Sequence, residues 1–218
     1  MRISHTYHYV FLAFPRTASL SIRRVLDEYS DIQSVHSSEV TPDFPFRHHI
    51  SARELEPIFD TRGWQWDQYK RFCVVRNPYS RLVSLFYRRT LKGPRWDVRL
   101  PVKNNLSTLL LRILPRRSAF TFFIMTRSPY ARPENNFLSF VSSESGKVLV
   151  SDILRFENLT QELPPYLNHL GIPISPDQIP HFNRSETLTD YRDLYTPFTR
   201  EIVHRSYRAV LDQFGYEF

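Results

Sequence analysis

Glycine is scarce in this sequence and absent where a phosphate-wrapping turn would need it. Of 218 residues only five are glycine (63, 93, 146, 171 and 215), none near FLAFPRTASLSIRRVL (11–26), the turn after the first apolar run. A nucleotide-triphosphate loop of the form G-x-x-x-x-G-K-[ST] is thereby excluded there. Cysteine is scarcer still. Cys73, in RFCVV, has no second cysteine to pair with, which excludes an intramolecular disulfide and a Cys-rich zinc site and fits a reducing compartment. Long apolar runs are missing as well: MRISHTYHYVFLAF holds no secretory core, and no window approaches the roughly 18 to 20 apolar residues of a membrane span. The expectation is a soluble, cytoplasmic chain, with a bacterial setting preferred to a trimmed Golgi luminal one. No His/Asp/Glu spacing demands a metal.

What is present is core-forming material and a basic segment. With 41% hydrophobic and 15% aromatic residues the chain can bury a core as a single domain, 1–218. The net charge of +7 is local: between Arg88 and Arg132 eleven Lys/Arg meet one acid, Asp97, while the remainder carries a net −3. Such a field concentrates anionic ligands, whether nucleic acid, acidic lipid, a charged glycan or a nucleotide.

Strand and helix signals alternate. Tyr9 to Phe14 reads as a strand, and Ser19 or Ser21 as the cap of a helix reaching about Tyr29, with Ile22, Val25, Leu26 and Tyr29 on one side. In SARELEPIF, Ser51 and Glu54 have capping-box spacing, so a helix begins just after His48 and His49. Arg71 to Val75 suits a strand buried on both faces, followed by a helix from Tyr79 to about Arg89. Residues 118 to 126 read as helical, Lys147 to Phe156 as a third strand, and Thr160 to Leu170 as the helix after it. Thr196 and Pro197 open a last helix to about Phe214. The irregular stretch around 92–130 reads as a variable basic insertion. Alternation of this kind predicts a parallel α/β sheet.

Ligands of such sheets bind beyond the carboxyl ends of the strands, where the loops lead into helices. PRTASLS and RNPYSRLVS both occupy that position. Helix-start N–H groups, hydroxyls and arginine suit tetrahedral oxyanions. Two such loops imply a ligand with two anionic ends.

Together these features resemble the sulfotransferases that use 3'-phosphoadenosine 5'-phosphosulfate (PAPS). FPRTASLSI is similar to their P-K-T-x-x-T-S loop, which holds the 5'-phosphosulfate, with Arg16 at the lysine position, then Thr17, Ala18, Ser19, Leu20 where threonine is common, and Ser21. VVRNPYSRLVSLFY resembles the 3'-phosphate signature and supplies Arg76 and Ser84. RFENL (155–159), HFNRSE and the stretch from YRDLYTPF to QFGY are similar to segments of the carbohydrate O-sulfotransferase branch, and the strongest likeness within it is to uronyl 2-O-sulfotransferases. The resemblance implies a P-loop-like three-layer α/β fold, a central parallel sheet flanked by helices, with PAPS as co-substrate. It also places His49, in RHHISARELEPIF, at the catalytic base position, with His48 assisting.

The residue types suit the chemistry. In an in-line transfer the protein mainly positions the reactants and stabilises charge, so a base and a cation suffice and no metal is needed. A histidine with an ordinary pKa of about 6.5 can take the acceptor's proton. Arg16 stays charged, so it can bind phosphosulfate oxygens without shuttling protons as a lysine can. The acceptor expected is a hydroxylated, anionic glycan or small molecule, with Arg112, Arg116 and Arg117 as candidate acceptor-binding residues. Two other readings compete. A nucleotide-dependent, kinase-like enzyme would need a triphosphate cradle, and a nucleic-acid-binding module would use the basic segment with its interleaved Trp96, Phe120, Phe122, Phe123 and Tyr130.

Overall fold

A computed structural model describes residues 1–90, 113–126, 136–179 and 190–218, in two compact units: Met1–Arg76 with Phe137–Arg184, and Asn77–Asn136 with Ser185–Phe218. Arg112, much of the expected 92–130 insertion and HFNRSE lie outside the described residues. The strands are β1 (Arg2–Ser4), β2 (Tyr9–Leu12), β3 (Ile32–Gln33), β4 (Lys70–Val75) and β5 (Asp152–Arg155). The principal helices are α1 (Ser19–Leu26), α2 (Ala52–Thr61), α3 (Pro78–Thr90), α4 (Arg116–Met125), α5 (Phe137–Val141), α6 (Leu159–His169) and α7 (Pro197–Phe214).

The first unit holds a five-stranded sheet in the order β3-β1-β2-β4-β5. Its centre is parallel, with Phe11 opposite Phe72 and Cys73 opposite Ile153. β1 pairs antiparallel with both β2 and β3. Only a tight turn, with His8 left-handed at φ 49°, joins β1 to β2, and so short a connection can only reverse the chain. The sheet is therefore mostly parallel rather than wholly so.

Alternation along β2 and β4 decides what covers the sheet. Tyr9, Phe11, Phe72 and Val74 pack in one cluster with Ile22 and Leu26 of α1 and Leu159, Leu163 and Leu167 of α6. The alternate residues Val10, Leu12, Cys73 and Val75 are equally buried, so both faces are covered, as the run of apolar residues in RFCVV requires. Full burial of one such side chain is worth roughly 1.5–3 kcal/mol. Burial also pushes the Cys73 thiol up to about 12, leaving it an inert core residue.

The second unit is helical. Tyr79, Leu82 and Phe86 of α3, Phe120 and Phe123 of α4, and Val203, Tyr207 and Leu211 of α7 form its core with Tyr195, whose hydroxyl donates to the Tyr79 carbonyl at 3.0 Å. Asn77 starts α3, its Oδ1 accepting from Tyr79 N at 3.0 Å. Thr196 caps α7, with Pro197 at the first helical position. Among the described residues no helix is long and apolar enough to cross a membrane.

Candidate active site

The turn between β2 and α1 is built without glycine, and its geometry shows how. Arg16 and Ala18 both take left-handed φ, at 71° and 56°. Such residues cost about 1–3 kcal/mol each and persist only where the surroundings over-determine them. Thr17 supplies part of that support. Its side chain is fully buried, and its hydroxyl donates to the Phe14 carbonyl at 2.8 Å. Neither serine caps α1 as expected: the N-cap is Ala18, with no side-chain hydrogen bond, and Ser19 and Ser21 lie on the buried face. The first-turn N–H groups are thus not capped from the side, and left-handed turns of this kind form the backbone concavities that take anions. Leu20 is exposed.

Two long-range contacts grip this loop. Arg76, at the end of β4, donates from Nη1 to the Arg16 carbonyl at 3.2 Å, and its guanidinium lies 4.0 Å from the centroid of the Phe156 ring. At the root of the loop, Nδ1 of His49 lies 2.7 Å from the Ala13 carbonyl oxygen. A carbonyl can only accept, so Nδ1 carries the proton and Nε2 keeps its lone pair. The capping box of Ser51 and Glu54 starts α2 two residues later and fixes this segment, Ser51 N donating to Glu54 Oε2 at 2.9 Å.

Electrostatics set the protonation of both histidines. His49 is pushed down to about 4, chiefly by the protein mass crowding its ring, then by the Met1 amine, Arg23 and Arg16, and against the bond to Ala13. The side chain still meets solvent, and the direction is what matters: the imidazole is neutral at neutral pH. His48 is pushed down to about 3, again by burial first and then by Arg23, the Met1 amine, His49 and Arg2. Its Nδ1 lies 2.9 Å from Ser34 Oγ.

Arg16, Thr17, Ala18, Ser19, Leu20, Ser21, His48, His49 and Arg76 thus all belong to the first unit. Ser84 lies in the second turn of α3, and Arg116 and Arg117 on α4, all in the second unit. Arg117 donates from Nη2 to the Tyr195 carbonyl at 2.7 Å. Three residues escaped the reading of the sequence: Phe156 beneath Arg76, Ser34 beside His48, and Arg23 on α1. RFENL had drawn notice as a segment, which was the one available signal for Phe156. Among the described residues no group of three or more His, Cys, Asp or Glu is placed to hold a metal ion.

A mostly parallel sheet, a left-handed turn at the carboxyl end of β2, and an arginine at the end of the neighbouring parallel strand give an α/β fold with its candidate site in the loops that follow two adjacent strands. The Sulfotransferase family profile matches residues 1–110, half of the chain. The chain belongs to the sulfotransferase family. Among solved structures it is similar to mouse sulfotransferase SULT7A1 complexed with PAP: TM-score 0.54, 13% identity, covering 98% of this chain and 90% of that one. At that identity the likeness establishes a shared fold. No curated protein matches by sequence. Family and fold agree with the resemblance to PAPS-dependent sulfotransferases drawn from the two loops, and they favour that reading over the kinase-like and nucleic-acid-binding ones.

Proposed function

We propose that the protein transfers a sulfuryl group from PAPS to a hydroxyl of a carbohydrate acceptor, with His49 as the base. The observation that carries this is the 2.7 Å bond from His49 Nδ1 to the Ala13 carbonyl, which sets a neutral imidazole at the root of the oxyanion loop with Nε2 available. PAPS, bound at the loop, would supply the sulfuryl group. The N–H groups of residues 17–21 and the Arg16 guanidinium would hold its 5' end at the left-handed turn; Thr17 would contribute its backbone, since its hydroxyl donates inward. Arg76 and Ser84 are assigned the 3'-phosphate by the family signature.

The acceptor hydroxyl gives its proton to His49 Nε2 as its oxygen bonds to sulfur. The electron pair of the bridging S–O bond would leave with the 5'-phosphate, where Arg16 would offset the new charge. Loss of a comparable transition-state donor typically slows a reaction about 10²- to 10³-fold. A base held down to about 4 is weak in the free protein, but an anionic donor beside the ring favours the imidazolium and raises its proton affinity. This scheme places no metal. The reading takes the chain as one sulfotransferase domain whose basic 92–130 segment attracts an anionic acceptor, and a reducing, cytoplasmic setting fits the single buried cysteine.

The test is a melting-temperature series with 3'-phosphoadenosine 5'-phosphate (PAP). The wild type should be stabilised, and Arg16→Ala and Arg76→Ala should lose most of that shift. A wild type indifferent to PAP overturns the donor assignment.

A further inference from the structure

The buried face of α1 carries a residue that the scheme above does not use. Arg23 is 9% exposed, among Ser19, Ser21, Ile22 and Leu26. A guanidinium at that depth ordinarily has a carboxylate partner. Among the described residues the hydrogen-bond partner of Arg23 is the carbonyl of Ser19, to which its Nε donates at 3.2 Å, so the side chain is drawn back along the helix toward the loop before α1. The nearby carboxylate, Asp27, is already paired: it accepts from Arg2 Nε at 2.6 Å. Among the described residues no acid forms an ion pair with Arg23.

The surroundings are cationic. Arg23 is felt electrostatically by the Met1 amine, His48 and His49, each of which it disfavours as a charged group. Arg23 itself is lowered to about 10, by burial first and by Arg2 second, with Asp27 opposing. Arg2 and Arg23 therefore act on His48, and Arg16 and Arg23 on His49, while Asp27, the carboxylate that acts on Arg23, is already engaged by Arg2. The folded chain limits the repulsion by keeping both imidazoles neutral at neutral pH, and burial lowers the Met1 amine in the same direction. An incoming oxyanion would relieve it directly, and the planar fork of an arginine matches the paired oxygens of a carboxylate or sulfate.

We propose that Arg23 is a specificity residue of the acceptor site, receiving an oxyanion carried by the same sugar whose hydroxyl faces His49. This rests on the reading of His49 as the base. It makes an anionic sugar, a uronate or an already sulfated residue, the preferred acceptor over a neutral one, and locates the preference on α1, independently of the 92–130 segment.

Three probes separate the cases: methyl β-D-glucuronide, methyl β-D-glucoside 6-sulfate and methyl β-D-glucoside, each titrated by thermal shift with and without PAP. The expected result is stabilisation by at least one anionic glycoside and not by the neutral one, the two anionic arms telling carboxylate from sulfate. Arg23→Met, checked for a cooperative melt, should bind the anionic glycoside about ten- to a hundredfold more weakly, as loss of a charged hydrogen bond predicts. Arg23→Lys keeps the charge without the fork and should retain the preference at reduced strength; it decides the matter if Arg23→Met does not fold. Equal response to neutral and anionic glycosides, no response to any, or an undiminished anionic preference in the variants overturns the proposal. Failure of PAP to shift the wild type would strike the donor assignment instead, since the arms without PAP still report on Arg23.

Discussion

Nδ1 of His49 donates to the carbonyl of Ala13 across 2.7 Å, tying the segment before α2 to the last turn of chain before the oxyanion loop. That bond fixes the tautomer and aims the lone pair of Nε2 away from the backbone. His49→Ala should lower kcat by about 10²- to 10⁴-fold, the usual range for a general base, while PAP still raises the melting temperature. The pH profile carries a finer expectation. A base held down to about 4 in the free protein stays active as pH falls from neutral, so kcat/KM should decline only below about pH 5. Anionic donor raises that value, so the acid limb of kcat should lie at higher pH than that of kcat/KM. Coincident limbs would remove the electrostatic coupling between donor and base.

Folding stability should follow the same two rings. In the unfolded chain a histidine titrates near about 6.5, whereas the folded chain holds His48 at about 3 and His49 at about 4. Below the unfolded value, unfolding therefore takes up protons. The stability these groups contribute is complete above about pH 6.5 and is lost as pH falls through that value toward the folded ones. The Met1 amine, also held low by burial, adds in the same direction at higher pH. Urea midpoints measured between pH 8 and 4 should fall steadily, and His48→Gln should flatten the slope. An equal slope in that variant would show that His48 titrates normally in the folded state.

Ala18 gives a test of the loop itself. At φ 56° and ψ 19°, a β-branched side chain is strongly disfavoured, so Ala18→Val should destabilise by about 1–3 kcal/mol and weaken PAP binding in parallel. Ala18→Gly removes the strain but adds freedom to the unfolded chain, and the two effects nearly offset, leaving stability within roughly 0.5 kcal/mol of wild type. Chemical denaturation of both variants checks this, and a Val variant as stable as wild type would mean that the loop relaxes to another conformation.

That strain also explains what could and could not be read from the sequence. Ser51 with Glu54, and Thr196 with Pro197, are local signals with local causes, and α2 and α7 start where those residues put them. β4 was legible because RFCVV is apolar on both faces. β1 and β3 have three and two residues and owe their pairing to partners distant in sequence, so no periodicity could announce them. The expected strand Lys147–Phe156 shrinks to β5, since Val148 instead bridges back to Ser142. In the candidate site, residue types drew attention to the loop, His49 and Arg76, and the fold puts the two side chains in contact with the loop and its root, at Arg16 and Ala13. The left-handed turn stayed hidden because Arg16 and Ala18 are not residues that advertise it. Arg23 stayed hidden for a different reason: beside the exposed Arg24, nothing in RR says which one points inward.

Arg76 and Phe156 bear on how the arginine proposed for the 3'-phosphate is held. The guanidinium 4.0 Å from the ring centroid is steered by the aromatic face while Nη1 reaches the Arg16 carbonyl, so one side chain links β4, the oxyanion loop and the turn after β5. A contact of this kind is worth roughly 0.5–2 kcal/mol, depending on exposure. Phe156→Leu should thus weaken PAP binding by about two- to thirtyfold with the fold intact, and Arg76→Ala should weaken it further. If Phe156 acts only by orienting Arg76, its loss cannot matter once Arg76 is gone. Calorimetric titration of PAP into the double variant should then give the affinity of Arg76→Ala alone, because coupled neighbours do not add. Additive losses would instead mean that Phe156 contacts the nucleotide on its own account.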